Sequence, residues 1–332
     1  MQERLIEILR IALKYHVNDI YFELKENHGT ETMSVQMKIN GRIEILKPKE
    51  KDAGLFTYIA YQARLDMSDA SLPQSGAFDE IVDGRKISLR YGIVISIHMK
   101  KGVLRILNQN GHLSMNDLTQ DEKTLKWMSE ILNRTEGLYI FSGPTGSGKT
   151  TSLYTLLHAM NDRIIYTLED PVEVWTDAFS QIEVNGAGNL SYSDGIRQLM
   201  RQAPEVIMIG EVRDSDAAHA AVSSALTGHL VLTSIHSQSA PSAIARMKDL
   251  GVEEAQLKEV LKGVCNQRLV DNHRKGVTGI YEVMDEKQLT SYFENGKTDE
   301  TFITLAKAKE NFEDSFKVVA SASNPLLQRR RL

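Results

Sequence analysis

Gly143-Pro144-Thr145-Gly146-Ser147-Gly148-Lys149-Thr150 is the stretch on which the reading of this chain turns. It satisfies G-x-x-x-x-G-K-[ST], a loop whose glycines let consecutive backbone N–H groups turn inward around phosphate oxygens. The pattern alone is loose, and its setting makes it informative. Leu138-Tyr139-Ile140-Phe141 has the texture of a short buried strand leading in, and residues 151–160 that of a helix leading out. The phosphates then sit at the positive end of a helix. On this reading residues 143–150, with Thr151, cradle a nucleotide. Lys149 reaches its β- and γ-phosphates, and the Thr150 hydroxyl holds Mg²⁺. ATP and Mg²⁺ are the expected cofactors.

From about Asp121 onward, short apolar strands alternate with helical segments, which predicts a mostly parallel sheet with helices on both faces. Three of these strands stop at polar clusters. Residues 164–168 end at Glu169-Asp170-Pro171, residues 206–209 at Gly210-Glu211-Val212-Arg213-Asp214, and residues 229–235 at His236. Ligands in open α/β sheets bind beyond the carboxyl ends of the strands, so a phosphate loop, two carboxylate clusters and a histidine should share one edge. Hydrolysis of a γ-phosphate needs a metal, a carboxylate that orients water, and cations for the transition state. Glu211 is the expected base, because a buried apolar strand delivers it. Glu169 comes next, and the two roles could be exchanged. His229 or His236 could sense the γ-phosphate through a hydrogen bond.

The first third has a different texture. Leu5, Ile8, Leu9, Ala12 and Leu13 recur at helical spacing, predicting a helix over residues 2–14. Residues 19–24 and 34–46 are strand-like, the second breaking at Asn40-Gly41, a two-residue hairpin signal. Asp52 is expected to cap a helix bearing Leu55, Phe56, Ile59, Ala60 and Ala63. After Pro73 follow strands at 78–82 and 86–97, joined at Asp83-Gly84, and a last one at 103–107. These outline a small α+β domain over 1–107. The polar, turn-rich 108–117 is the expected linker, and 118–332 the P-loop ATPase domain with a helical C-terminal part.

Bulk composition narrows the classes. The 332 residues can fold as two domains, and 42% hydrophobic with 25% charged residues is ordinary for a soluble protein. The charge balance of 39 − 44 = −5 argues against direct nucleic-acid binding, with only Arg329-Arg330-Arg331 running the other way. One cysteine, Cys265, excludes an intrachain disulfide and a Cys-based zinc cluster, and fits a reducing cytoplasm. No apolar run approaches the roughly 20 residues of a membrane span, and residues 1–4 do not open a signal peptide. Membrane contact should therefore be peripheral or through a partner.

Taken in order, these residues resemble the secretion and type IV pilus ATPases. The family's Walker A loop stands at 143–150 and its Asp box at Leu168-Glu169-Asp170-Pro171-Val172-Glu173. Its Walker B segment is at 206–214, and its His box runs from Thr227-Gly228-His229 to His236. Gly210-Glu211 repeats the family's glycine where other P-loop enzymes carry aspartate. Further similar stretches are Asn18-Asp19-Ile20-Tyr21, Leu72-Pro73-Gln74-Ser75-Gly76, Arg105-Ile106-Leu107, Arg197-Gln198-Leu199-Met200-Arg201-Gln202 and Gln267-Arg268-Leu269-Val270. The likeness covers roughly residues 17–285.

The resemblance implies a RecA-like P-loop domain preceded by a smaller PAS-like α+β domain, and a homohexameric motor. It implies arginine fingers on the first domain, by motif position Arg90 and Arg105, closing over the nucleotide of the same or a neighbouring subunit. It supports both His229 and His236. The implied partners are a polytopic membrane platform protein and, indirectly, pilin-like subunits, with the ring on the cytoplasmic face of the membrane. Two departures narrow the choice. The four-cysteine zinc module that follows Gln-Arg-Leu-Val in many assembly motors is missing between Val270 and Thr278-Gly279-Ile280-Tyr281-Glu282. The large N-terminal domain of most assembly motors is also expected to be absent. Short, cysteine-poor versions resemble the competence pseudopilus ATPases of Gram-positive bacteria or the pilus-retraction ATPases. The Asp box, Gly-Ile-Tyr-Glu and Leu-Pro-Gln-Ser-Gly favour the competence assembly motor for DNA uptake. The alternatives are a retraction motor and a nucleotide-dependent scaffold with little turnover. Residues 287–332 match no recognised pattern.

Overall fold

The computed structural model describes the chain except for residues 16, 28–29, 40–41, 50–51, 68–72, 97–98, 108–112, 185–189, 273–275 and 323–332. The chain divides into two units, one of residues 1–111 with 173–175 and the other of 112–172 with 176–332.

The first unit is one antiparallel sheet with two helices on one face. Its elements are α1 (Gln2–Lys14), β1 (Asp19–Asn27), β2 (Thr30–Ile39), β3 (Arg42–Ile45), α2 (Ala53–Gln62), β4 (Gln74–Val82), β5 (Arg85–Ser96) and β6 (Met99–Ile106). The strands lie in the order β3-β2-β1-β6-β5-β4. Alternation along each strand sends Ile20, Phe22 and Leu24 of β1, and Leu89, Tyr91 and Ile93 of β5, into one core. There they meet Leu5, Ile8 and Leu9 of α1 and Leu55, Phe56 and Ile59 of α2. Asp83 and Gly84 join β4 to β5 with φ of +51° and +78°, the two positive angles of the hairpin turn their sequence signals. The Asn40-Gly41 signal lies outside the described residues. Asp52 holds the N-cap position of α2, but its side chain makes no capping bond. Its carboxylate instead accepts two bonds of 3.0 Å from the Arg4 guanidinium and one of 2.9 Å from the Lys49 N–H. The carboxylate is turned to this charged, bidentate donor rather than to the first turn of α2.

The second unit contains α3 (Met115–Leu118), α4 (Glu122–Leu132), β7 (Gly137–Ser142), α5 (Lys149–Ala159), β8 (Ile165–Glu169), β9 (Ser180–Glu183), α6 (Tyr192–Leu199) and β10 (Val206–Val212). It continues with α7 (Ser215–Leu226), β11 (Leu230–Ile235), α8 (Ala240–Asp249), α9 (Glu254–Val260), β12 (Leu261–Asn272), β13 (Gly276–Met284), α10 (Glu286–Asn295) and α11 (Leu305–Ala322). The sheet order is β13-β12-β7-β11-β10-β8-β9, parallel throughout except for β13, which runs antiparallel to β12. Every residue of β7 and β11 is buried, as the unbroken apolar runs require of strands covered on both faces. This is the α/β class that the alternation of strands and helices predicts.

Several boundaries differ from the sequence reading; β1, β4 and β6, for example, are longer than expected, at Asp19–Asn27, Gln74–Val82 and Met99–Ile106. Residues 115–117 of the expected linker are helical in α3, and 108–112 lie outside the described residues. β10 does not stop at Ile209 but runs on through Val212, with a register shift against β11. The cause is local: the hydroxyls of Thr233 and Ser234 donate to the carbonyls of Ile209 and Gly210 at 2.8 and 2.7 Å, drawing the end of β10 along. The stretch after residue 286 that matched nothing forms α10 and α11. Glu282, buried in β13, accepts from the N–H of Ala240 at 2.7 Å and of Leu305 at 2.9 Å, the first residues of α8 and α11. One carboxylate thus serves two positive helix ends. The arginines at 329–331 lie outside the described residues. No helix among the described residues is long and apolar enough to cross a membrane.

Candidate active site

The phosphate loop leaves β7 at Gly143 and enters α5 at Lys149. Gly143 takes φ +147° and Gly148 φ +87°, backbone conformations that side chains resist. Space forbids a side chain there as well. A methyl built on Gly143 would lie 2.6 Å from the Gln267 carbonyl, and one on Gly148 2.9 Å from Gln267 Nε2. Gln267 of β12 therefore forms the wall against which the loop is folded. Its Oε1 accepts from Ser152 Oγ at 3.0 Å, and that hydroxyl also lies 2.9 Å from the Tyr281 hydroxyl. The loop's own lysine is buried: Lys149 Nζ donates to the carbonyls of Gly143 at 3.0 Å and Pro144 at 3.1 Å. Ser147 Oγ is buried and has no hydrogen-bond partner among the described residues.

Two carboxylates stand on β10 and β8, which pair with each other two and three strands from β7. Glu211, in the extended end of β10, faces Arg213 and His236. Arg213 holds Oε2 through Nε at 2.9 Å and Nη2 at 2.8 Å, and His236 Nε2 lies 2.9 Å from Oε1. This contact holds the Arg213 guanidinium above its ordinary pKa, the hydrogen bond to Glu211 being the main cause. His236 Nδ1 lies 3.1 Å from the Gly143 carbonyl. Both neighbours of the imidazole are acceptors, so both bonds form together only when the ring carries two protons. Glu169, the last residue of β8, is buried and accepts from the hydroxyls of Tyr154 and Thr167 and the Gln181 amide.

The structure thus brings residues 143–150, Glu169, Glu211 and His236 to the carboxyl edge of one sheet. It does not bring His229 there. His229 precedes β11, and its carbonyl accepts from the N–H of Gly137 at the start of β7. Its Nδ1 lies 3.0 Å from Thr227 Oγ1 and 3.3 Å from the Ser224 carbonyl. The six residues of β7 separate it from the loop, about 20 Å of extended chain. The same strand that carries His236 to the site carries His229 away from it. Arg90 and Arg105 belong to the first unit, where β5 and β6 place them directly opposite each other. Arg105 Nε donates to Asp19 Oδ1 at 2.7 Å, across to β1.

Gln267, Ser152, Tyr154 and Gln181 carry no site assignment from sequence. Gln267 alone had a visible signal, its place in the Gln267-Arg268-Leu269-Val270 stretch that resembles the family.

The chain is similar to known proteins in sequence and in fold. The chain is 39% identical over 268 residues to the putative type II secretion system protein E of Escherichia coli K12, covering 79% of this chain and 54% of that one. It is 38% identical over 268 residues to type II secretion system protein E of Pseudomonas aeruginosa, covering 79% and 53%. The chain thus spans about half the length of the curated relatives it matches. Among solved structures, that of the pilus retraction motor PilT with bound ADP superposes with a TM-score of 0.70 at 25% identity, covering 92% of this chain and 96% of that one. Matched over residues 1–317, the chain belongs to the type II/IV secretion system protein family.

Proposed function

We propose that the chain is an ATP-hydrolysing motor subunit of a secretion or pilus-like apparatus. The observation that carries this reading is the link from Glu211 through His236 to the Gly143 carbonyl. It joins a water-orienting carboxylate to the phosphate loop itself. Kinship with type II secretion system protein E and likeness to an ADP-bound pilus motor support it.

The residues fit a nucleotide. The loop glycines leave no room for side chains, and the Ser147 hydroxyl is buried without a partner. Lys149 holds two carbonyls that phosphate oxygens would replace. Thr150, in the first turn of α5, is the residue that would hold Mg²⁺, and the ion supplies positive charge to the transferring phosphoryl group. Lys149 then binds phosphate oxygens, and Glu211 accepts the proton of the attacking water. His236 reports the state of the loop to Glu211. Arg90 and Arg105 act as arginine fingers for the same or a neighbouring subunit, in a homohexamer.

Within this class we place the chain as an assembly motor of a competence pseudopilus, driving a polytopic platform protein at the inner face of the membrane. β12 and β13 pair from Val264↔Met284 to Asn272↔Gly276. Only residues 273–275 connect them, too few for a four-cysteine module, as in the short motors. The likeness to PilT supports retraction as a second reading. Phosphate release by the purified protein tests the ATPase. A gene deletion separates the two directions: loss of filaments and of DNA uptake supports assembly, and accumulation of filaments supports retraction.

A further inference from the structure

Glu169 is held by a cage that no motif announces. Tyr154 lies on α5, five residues after Lys149, and its hydroxyl is 2.9 and 2.8 Å from the two carboxylate oxygens. Thr167, two residues earlier on the same face of β8, donates to Oε1 at 2.6 Å. Gln181, on the edge strand β9, donates to the Tyr154 oxygen at 2.6 Å and to Glu169 Oε1 at 3.3 Å. The Gln181 carbonyl is itself fixed, accepting from the Thr176 N–H at 2.9 Å. The Tyr154 ring packs edge-on against Phe179, centroids 5.4 Å apart.

We infer that Tyr154 and Gln181 are positioning residues, which hold the Glu169 carboxylate against the phosphate-loop helix for the reaction proposed above. Three features support this. The donors are neutral, so they orient the carboxylate without cancelling its charge. They come from α5, β8 and β9, three elements that converge on this point. The Glu169 side chain also lies across Gly210, where a methyl would sit 3.1 Å from its Cγ. The position at which other P-loop enzymes carry the Walker B aspartate is thus left bare, and a carboxylate from the next strand covers it. A shift of the P-loop helix moves Tyr154, and Tyr154 moves Glu169.

The test uses the full chain with Tyr154→Phe, which keeps the ring packing, and Gln181→Leu. For each, kcat and KM for ATP, binding of fluorescent mant-ADP and the thermal midpoint are measured. Each substitution should lower kcat by about 10-fold while KM and mant-ADP affinity move less than about 2-fold, as for other groups that orient a reacting carboxylate. The double variant should lose little more than the worse single one, because the two act as a unit. Native kcat in both singles overturns the inference, as does a parallel loss of mant-ADP binding or of the thermal midpoint, or independent multiplication of the two effects. A native protein that releases no phosphate overturns the ATPase reading, and this inference with it. An active native protein with unaffected variants sinks only the cage.

Discussion

His236 Nε2 lies 2.9 Å from Glu211 Oε1, while the other nitrogen of the same ring lies 3.1 Å from the carbonyl of Gly143. The imidazole is a bridge of one side chain between the phosphate loop and the proposed base. Glu211→Gln keeps the shape of that bridge and removes the carboxylate. ATP binding should persist and turnover should fall by about 10²-fold or more, the scale of a general base. Equilibrium binding and steady-state phosphate release on the same preparation check both halves. If Glu169→Gln is dead and Glu211→Gln active, the two carboxylates exchange roles.

Lys149→Ala removes the loop's point charge and the two bonds that close the loop on itself. Mant-ATP binding or turnover should be lost, while the thermal midpoint without nucleotide changes little. A variant that hydrolyses ATP at the native rate would refute the site.

Gly210→Asp gives this chain the aspartate that other P-loop enzymes carry. It should nonetheless inactivate the protein, because the new Cβ falls 3.1 Å from Glu169 Cγ and 3.4 Å from its Cα. The glycine is needed here for space, since its φ is unexceptional. Turnover of Gly210→Ala and Gly210→Asp decides the point. A native rate in either means the Glu169 side chain moves aside at no cost.

Glu282→Gln replaces one of two acceptors by a donor facing a helix N–H. The buried mismatch should cost about 1–3 kcal/mol of stability. A lowered urea midpoint with an unchanged slope is the expected observation. Because the lost bond holds the start of α8 or of α11, hydrogen exchange should rise first in those helices. Exchange that rises evenly throughout the second unit would argue against a local clamp.

Arg90 and Arg105 face each other across β5 and β6, so one subunit would present two adjacent guanidiniums. Arg90→Ala and Arg105→Ala should bind nucleotide and lose most turnover. Mixing in subunits that lack Lys149 but keep both arginines should restore part of it. The rate per subunit should also rise with protein concentration, as for a site completed by head-to-tail contact. Constant activity down to a proven monomer would exclude the shared site.

Much of this protein is written locally. The turn from β7 into α5 rests on glycines that alone tolerate its angles, and β7 and β11 rest on unbroken apolar runs. α1 follows from the spacing of Leu5, Ile8 and Leu9, and the Asp83-Gly84 hairpin from two positive φ angles. Each of these depends on neighbours a few residues away, so composition and period suffice to find it. The sequence therefore determined the α/β class, the phosphate loop and the candidate carboxylates. Tertiary structure decided what those residues touch. The strands run in chain order β7, β8, β9, β10, β11, but stand in space as β7-β11-β10-β8-β9. That order seats His236 beside Gly143 and Glu169 over Gly210. His229 falls at the far edge because a strand has two ends and only one of them meets the loop. The Tyr154–Gln181 cage and the Gln267 wall join residues tens of positions apart. Periodicity along the chain carries no information about such pairs, because packing of the helices against both faces of the sheet sets which strands become neighbours.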